Sequence, residues 1–387
     1  MACVMAIVMR SSPQGQEHGV SLNKTVQQKG SAIMVSAAIV VVIYGMQMAK
    51  VILVPFLVAV FLALITVRPM LWLQAKRVPS ILAALLIVSV IMLILALVGM
   101  ILGTSIADFT AAIPVYQARL DAIIDGAVRF IADNIRGDGS VESLRDMVDP
   151  GWAMGLVAGI LNGLKDVLTN PFLIFFTMIF ILLEASSGHT KFEAAFGRSE
   201  GSLDRPQKFL QNLGRYLGIK TIVSIATGVC AGTLTWAIGV DFPLLWAMLA
   251  FLLNYIPTIG SIIAAVPAVL LALVQLGPGE AGATASGFAA INVVFGNFLE
   301  PRLMGYGVGI SPLIVFIGLV FWGWVFGPVG MLLSVPLTMT LKLALESDDR
   351  TRWVAILIGS ERDAEYELRR LYPEDSKEND QATSSSP

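Results

Sequence analysis

Long windows without charged residues alternate with short charged segments along most of the chain. Asp, Glu, Lys and Arg are absent from 30–49, 51–67, 78–106, 167–183, 221–240, 242–279, 281–299 and 303–341. A helix needs about 20 apolar residues to cross the hydrocarbon core of a bilayer, with a tolerated range of about 17–25. The first five windows therefore predict one crossing each, and the pattern as a whole predicts a polytopic membrane protein.

The two longest windows are interrupted near their middles by proline and glycine. Pro257 and Gly260 lie in the window 242–279, and Gly327 and Pro328 lie in the window 303–341. Proline ends or kinks a helix, so each window predicts two helical segments, with the carbonyl near Leu253 freed by Pro257. The sequence predicts an all-α fold, a polytopic transmembrane helix bundle of about eight spans with broken or re-entrant helices in its C-terminal third.

The charges of the loops predict the orientation of the chain in the membrane. Residues 68–77 carry three basic residues and no acid, and residues 187–220 carry six basic residues against three acids. Residues 107–149 are the reverse, with eight acids against four arginines. Because cytoplasmic loops are enriched in Lys and Arg, the first two segments are expected inside and the third outside. Both termini are then cytoplasmic.

These patterns divide the chain into seven regions. They are a cytoplasmic N-terminal tail (1–30), the first three spans (31–104), an external amphipathic helical segment (105–150), a glycine-ridged helix with the fourth span (151–186), a cytoplasmic amphipathic segment (187–219), a C-terminal transport region (220–345) and a polar, acidic cytoplasmic tail (346–387). Pro114 suits the first turn of the external helix. From Arg350 onward the tail is expected to be solvated.

Glycines four residues apart predict two places where helices approach closely. Gly151, Gly155, Gly159 and Gly163 form one ridge, and Gly228 and Gly232 form a shorter one. Residues at this spacing share a helix face, and a face without side chains lets a second helix come near.

Composition supports membrane insertion and argues against several kinds of chemistry. Apolar residues are 56% of the chain and charged residues 14%, against about 45–50% and about 25% in soluble domains. Cys3 and Cys230 do not have the spacing of metal ligands, and His18 and His189 lie outside the predicted spans. A Walker-type nucleotide motif is absent from the sequence. We expect no enzyme activity, no cofactor, no metal and no nucleic-acid partner.

The charged residues of the C-terminal region are the first candidates for a functional site. Between Phe242 and Leu341 they are Glu280, Glu300 and Arg302. A charge at the centre of a spanning helix costs at least about 2.5 kcal/mol, so such residues usually serve a function. Pro301 disfavours a helical conformation at Glu300, so the two side chains need not meet. Glu300 is predicted to exchange a proton for a cation and Arg302 to hold an anionic group; a structural ion pair between them is the alternative.

Neutral polar residues complete the predicted substrate or ion site. Asn254, Thr258 and Asn297 are expected to bind a polar solute or a sodium ion, and interhelical hydrogen bonds are the alternative for the two asparagines. Broken helices present backbone groups to substrates in many secondary transporters. The predicted breaks are at Pro257, Gly260, Pro301, Gly327 and Pro328.

Three long segments of the C-terminal region resemble a known family. Leu253–Gly260, Phe295–Gly305 and Phe321–Leu337 are similar to motifs of the autoinducer-2 exporter family, and the resemblance covers about residues 31–345. It implies a multi-span transporter. Some members move the signal autoinducer-2, and others have been proposed to exchange sodium for protons.

The sequence therefore predicts a secondary transporter that exports a small polar solute such as an autoinducer-2-like signal, or that exchanges a cation for protons. A passive channel and a non-transporting membrane scaffold or regulator are the alternatives. The expected partners are a small-molecule or ion substrate and the lipid bilayer, and the sequence is compatible with a homo-oligomer.

Overall fold

The computed structural model describes residues 34, 36–134, 171–196, 204–257, 259–304, 309–348, 350–361, 364–365 and 368, which form helices and no strand. The predicted all-α class is confirmed. The helices are α1 Ser36–Met48, α2 Lys50–Ala75, α3 Ser80–Asn134, α4 Pro171–Phe196, α5 Asp204–Ile238, α6 Pro243–Leu253, α7 Ile259–Gln275, α8 Pro278–Asn292, a π-helical segment Val293–Leu299, α9 Glu300–Met304, α10 Pro312–Phe326, α11 Pro328–Leu332, α12 Ser334–Glu346 and α13 Arg352–Ile358. By its internal contacts the chain divides into Met1–Leu53 and Val54–Pro387.

Four of the described helices are long and apolar enough to cross a membrane. They are Lys50–Ala75, Ser80–Gly126, Phe209–Ile238 and Pro278–Met304. The two longest charge-free windows instead hold shorter helices, α6 with α7 and α10 with α11 and α12. The prediction that each of these windows contains more than one helical segment is confirmed, and the count of about eight crossings stays a prediction.

Helix α3 runs without interruption through Pro114. The prediction that Pro114 begins a separate helix is therefore wrong. Proline removes one backbone hydrogen bond, the one to Thr110, and that loss is outweighed by burial on both sides of it. Phe109, Tyr116 and Leu120 are all buried in the same apolar cluster. The first half of the external segment is thus an extension of a spanning helix and packs on the chain's own core.

Helix α3 also joins the two apolar cores of the larger unit. Its start packs through Ala83, Ala84 and Val88 with buried residues of α2 and α4. Its middle packs with α5, α6, α7 and α8 around Trp246 and Leu249, which are fully buried. The second core is built largely from residues of the C-terminal region.

Helix α5 packs tightly against α6 through two glycines. A Cβ atom at Gly228 would lie 2.8 Å from the carbonyl oxygen of Ala247, and one at Gly232 would lie 2.7 Å from the Cβ of Ala247. The close approach predicted from the spacing of Gly228 and Gly232 is confirmed. The ridge from Gly151 to Gly163 lies outside the described residues.

The C-terminal tail contains a helix where solvated chain was expected. In α13 Ala355 is fully buried, and Ser311 donates a backbone hydrogen bond of 3.1 Å to the carbonyl of Ile358. The reason is the apolar run from Trp353 to Ile358, part of which gains from packing against α12. The expectation of a solvated chain from Arg350 onward is therefore wrong for this segment.

Candidate functional site

A buried ion pair joins α5 to the end of the Pro278–Met304 helix. The ammonium of Lys220 lies 2.7 Å from Oε1 and 2.8 Å from Oε2 of Glu300, so it donates to both carboxylate oxygens. The side chains are 4% and 19% exposed. Each charge offsets much of the cost of burying the other, which makes the pair acceptable inside a membrane-spanning region.

The π-helical segment brings Glu300 to this position. Glu300 has φ −58° and ψ −51°, and its backbone N–H donates to the carbonyl of Phe295, five residues earlier. The expectation that Pro301 keeps Glu300 out of a helical conformation is therefore wrong. The predicted helix break at Pro301 is wrong as well, because the helix continues from Pro278 to Met304. An α-helix would place the ring of Pro301 against the carbonyl four residues earlier, whereas the wider π turn leaves room for it. Short π segments of this kind are frequent at functional sites.

Two polar contacts tie the break after α6 to the helix that carries Lys220. Asn254 Nδ2 donates to the hydroxyl of Ser224 at 2.9 Å, and both residues are buried. The hydroxyl of Tyr255 donates to that of Thr221 at 2.8 Å, and Thr221 in turn donates to the carbonyl of Leu217. The asparagine predicted to bind solute is thus brought next to the α5 face that bears the ion pair.

Aromatic packing fixes the ring of Tyr255. It meets the ring of Phe61 on α2 edge to face, with centroids 5.6 Å apart, and that of Phe251 in the same manner at 5.9 Å. Such pairs contribute about 0.5–1.5 kcal/mol beyond the area they bury. Tyr255 therefore links α2, the break and α5 in a fixed arrangement.

The backbone at the break after α6 forms hydrogen bonds within the chain. The carbonyl of Leu253 accepts a 2.9 Å hydrogen bond from the N–H of Ile256, so the expectation that Pro257 leaves it free is wrong. A tight turn supplies the donor that the proline lacks. The first turn of α7 then lies directly on this carbonyl, because a Cβ at Gly260 would collide with it. Glycine at 260 is required by this close approach.

The structure does not bring all of the predicted residues together. Arg302 is exposed and lies over the ring of Phe298, 5.9 Å from its centroid, while the partner of Glu300 is Lys220. Asn297 is also exposed, as is Pro301. Thr258 lies outside the described residues.

The second predicted break differs in its surroundings. Gly327 has φ 70° and separates α10 from α11, and the exposed Pro328 is the first residue of α11. The ring of Trp322 stacks on that of Phe326, and its indole N–H donates to Thr338 Oγ1 at 3.1 Å. This break is part of a packed aromatic region, and no charged pair was found beside it among the described residues.

Lys220 is the residue of this site that sequence reasoning missed. The sequence pattern groups Lys220 with the cytoplasmic charges because it precedes the window 221–240. The spacing of polar residues could have identified Lys220. Lys220, Ser224 and Thr227 follow an i, i+4, i+7 spacing, which places them on one face of α5. A lysine in phase with buried polar residues of a span is expected to face the protein.

Chemically, the arrangement offers a carboxylate, an ammonium, hydroxyls and a carboxamide inside a predominantly apolar bundle. These groups can donate to and accept hydrogen bonds from a polar solute. No group of three or more His, Cys, Asp or Glu side chains able to hold a metal ion occurs within the described ranges.

Comparison with known proteins identifies the family of the chain. The sequence model of the family described as AI-2E family transporter matches residues 33–347. The AI-2 transport protein TqsA of Escherichia coli (strain K12) is 38% identical over 322 residues, which covers 83% of this chain and 93% of that protein. A putative transport protein of Haemophilus influenzae is 40% identical over 84% of this chain and 95% of its own length, and YhhT of E. coli K12, also a putative transport protein, is 33% identical over 84% and 93%.

These relatives are named as transport proteins and not as enzymes, and the match spans all of the helices that form the site. The apolar helices, the broken C-terminal segments and this similarity together show that the chain belongs to the AI-2E family of membrane transporters.

Proposed function

We propose that this protein is a secondary transporter that exports a small, polar, oxygen-rich solute of the autoinducer-2 type. The observation that carries the proposal is the Lys220–Glu300 pair, buried between two membrane-spanning helices and next to a broken helix. The name of its E. coli relative, an AI-2 transport protein, supports the solute class.

The ion pair suits a site that must change during transport. Removing one partner of a buried pair costs about 3–5 kcal/mol, so the pair favours one arrangement of α5 and α9 strongly. A solute whose hydroxyls hydrogen-bond to both side chains lowers the cost of separating them. Solute binding would then promote the movement of one helix past the other, which is what alternating access requires.

Secondary transport follows from the absence of a nucleotide motif in the sequence. The energy would then come from an ion gradient or from the gradient of the solute itself. A carboxylate in a spanning helix is the residue type that couples such gradients, because it can carry a proton in one state and a counter-cation in the other.

Exchange of a cation for protons is the second candidate. It is supported by the bidentate contact of Lys220 with Glu300, since the ammonium occupies the place that a metal cation such as Na⁺ would take on the carboxylate. In this mechanism deprotonated Glu300 binds either the lysine or the cation, and Arg302 is available to anionic groups.

Transport in sealed proteoliposomes distinguishes these functions. We expect autoinducer-2 to leave loaded vesicles in the presence of the protein, and the rate to respond to an imposed pH or sodium gradient. Sodium–proton exchange without autoinducer-2 flux would favour the second candidate. Gradient-independent flux of many solutes would indicate a channel, and no flux of any kind would indicate a scaffold.

We further propose that the protein lies in the cytoplasmic membrane with both termini inside, on the basis of its loop charges. A cysteine introduced near Asp133 is then labelled by an impermeant reagent in intact cells, and one near Arg198 is not. The opposite labelling pattern would reverse the orientation.

A further inference from the structure

Thr227 stands out among the hydroxyl residues of α5. Thr221, Thr233 and Thr235 each donate to the carbonyl four residues earlier, at 2.8–2.9 Å. Thr227 is 6% exposed, and its hydroxyl has no hydrogen-bond partner among the described residues. A buried hydroxyl in a spanning helix normally takes the local carbonyl, because an unpaired polar group is costly there.

Four buried side-chain nitrogen or oxygen atoms of the described residues lack a partner, on Gln74, Thr227, Ser261 and Ser334. Thr227 is the one on the helix that carries Lys220. It follows Ser224 by three residues, about 4.5 Å along the axis, and residues at this spacing are neighbours on a helix surface. The polar face of α5 therefore continues past the ion pair and the Ser224–Asn254 contact to an unused hydroxyl.

Two contacts between α5 and the Pro278–Met304 helix show which part of that helix lies level with Thr227. Lys220 meets Glu300, and a Cβ at Gly287 would lie 2.5 Å from Leu234 Cδ2, so α5 and the Pro278–Met304 helix run antiparallel. Thr227 lies midway between Lys220 and Leu234, and the midpoint on the other helix falls at residues 293 and 294. Thr227 is therefore level with the beginning of the π-helical segment Val293–Leu299.

The inward side of this segment combines a polar and an aromatic side chain and lacks a side chain at one position. Asn292, Phe295 and Gly296 are half-buried, whereas Val293, Val294 and Asn297 are exposed. A Cβ atom at Gly296 would lie 3.0 Å from Oδ1 of Asn292, so the carboxamide covers the glycine. A hydroxyl, a carboxamide and a glycine thus occupy the same level of two facing helices.

We propose that Thr227, with Asn292 and the backbone at Gly296, forms a second subsite for the transported solute. It would bind a hydroxyl or carbonyl oxygen of an uncharged solute, since the groups beyond the ion pair are neutral hydrogen-bonding groups. This inference rests on the proposed function and adds a specificity determinant to it. The unpartnered hydroxyl is then satisfied when solute is bound.

Thr227→Val tests the subsite because it removes the hydroxyl and keeps the shape. Thr235→Val is the matched control: Thr235 lies on the same helix, is fully buried and donates to the carbonyls of Ala231 and Gly232. In proteoliposomes loaded with autoinducer-2, we expect Thr227→Val to lower the initial flux about tenfold, the effect of one lost hydrogen bond, and Thr235→Val to leave it near wild type. Thr227→Ser, which restores a hydroxyl, should recover most of the flux.

Thermal unfolding of the purified variants without solute gives a reading that does not depend on transport. We expect the Tm of Thr227→Val to equal or exceed that of the wild type, because an unpaired buried hydroxyl is lost, and the Tm of Thr235→Val to fall. Wild-type flux in Thr227→Val, or a Tm as low as that of Thr235→Val, would overturn the subsite alone. Absence of autoinducer-2 flux in the wild type would overturn the proposed function and the subsite with it.

Discussion

The two breaks in the C-terminal region share a backbone design and differ in their side chains. After α6, Gly260 lies on the carbonyl of Leu253, and after α10, Gly330 lies on the carbonyl of Trp322. In both, a Cβ on the glycine would collide with the carbonyl oxygen, so the returning segment approaches the helix end very closely. The same turn back is therefore built twice within the region.

The side chains around the two breaks differ. Next to the first break, Asn254 and Tyr255 hydrogen-bond to α5, the helix of the Lys220–Glu300 pair. Around the second, Trp322 packs on Phe326, and Thr338 satisfies its indole N–H. We infer that one break serves the transport site and the other serves packing. Paired substitutions at equivalent positions test this difference in role.

Alanine at either close-approach glycine should have the largest effect. Gly260→Ala and Gly330→Ala each place a methyl group against a backbone carbonyl that cannot rotate away, and we expect a loss of about 3 kcal/mol or more in stability. The measurement is Tm and the yield of folded protein in detergent. Gly282→Ala is the control, because a Cβ there meets nothing within 4 Å. Normal folding of Gly330→Ala would show that the second break is loose.

Substitutions in the ion pair come next and should affect function and stability differently. Glu300→Gln leaves the buried Lys220 without a counter-charge, so we expect transport to fall to background. Stability should drop by about 3 kcal/mol, the low end of the cost for a buried pair, because Glu300 is 19% exposed. The double variant Lys220→Met/Glu300→Gln removes both charges and should regain stability without regaining transport.

Glu280→Gln is the control for the ion pair, since Glu280 is an exposed carboxylate at the start of the same long helix. It should leave flux and Tm near wild type. If the double variant transported at the normal rate with the normal pH dependence, the pair would be structural and the coupling proposal would end.

Loss of a single polar contact at each break should have a smaller effect, and the two breaks should respond differently. Transport should fall at the first break, and stability should fall at the second. Asn254→Ala removes the hydrogen bond to Ser224 and should reduce transport about tenfold. Thr338→Val removes the acceptor of the Trp322 indole N–H and should cost about 1 kcal/mol of stability with flux near wild type. Equal transport defects in the two variants would contradict the division of roles.

The prolines of the two breaks should show the smallest effects. Pro257→Ala is expected to keep membrane expression and slow transport several-fold, because the turn that positions Asn254 becomes less rigid. Pro328→Ala changes an exposed first position of a helix, where proline adds at most about 1 kcal/mol through the unfolded state. Initial flux at equal expression measures both, and unchanged flux in Pro257→Ala would reduce that break to packing.

Much of the architecture was accessible from the sequence because its signals are local. Charge-free windows follow from the cost of burying charge, and Pro257, Gly260, Gly327 and Pro328 mark breaks through their own backbone chemistry. The isolation of Glu300 among apolar residues singled it out as a candidate, and the structure places it in an ion pair with Lys220. The sequence also predicted that Gly228 and Gly232 allow a close helix contact, which the structure confirms.

The partner of Glu300 was not accessible, because it lies 80 residues away in sequence. Local reasoning offers Arg302, the neighbouring charge, as the alternative ion-pair partner of Glu300 and places Lys220 in a loop. Continuity of α3 through Pro114 and of α5 across the start of its charge-free window depends on burial against other helices, which no local pattern contains.

The sequence alone thus specifies membrane insertion, helical class, the breaks at Pro257, Gly260, Gly327 and Pro328, and one charged residue of the candidate site. Those properties depend on residues within a turn or two of each other. The tertiary structure sets the partner of Glu300, which is Lys220, and provides the π turn that makes room for Pro301. It also brings Asn254 to α5 and leaves Asn297 exposed. Such outcomes depend on the packing of distant helices, where the burial of each side chain is set by residues remote in the chain.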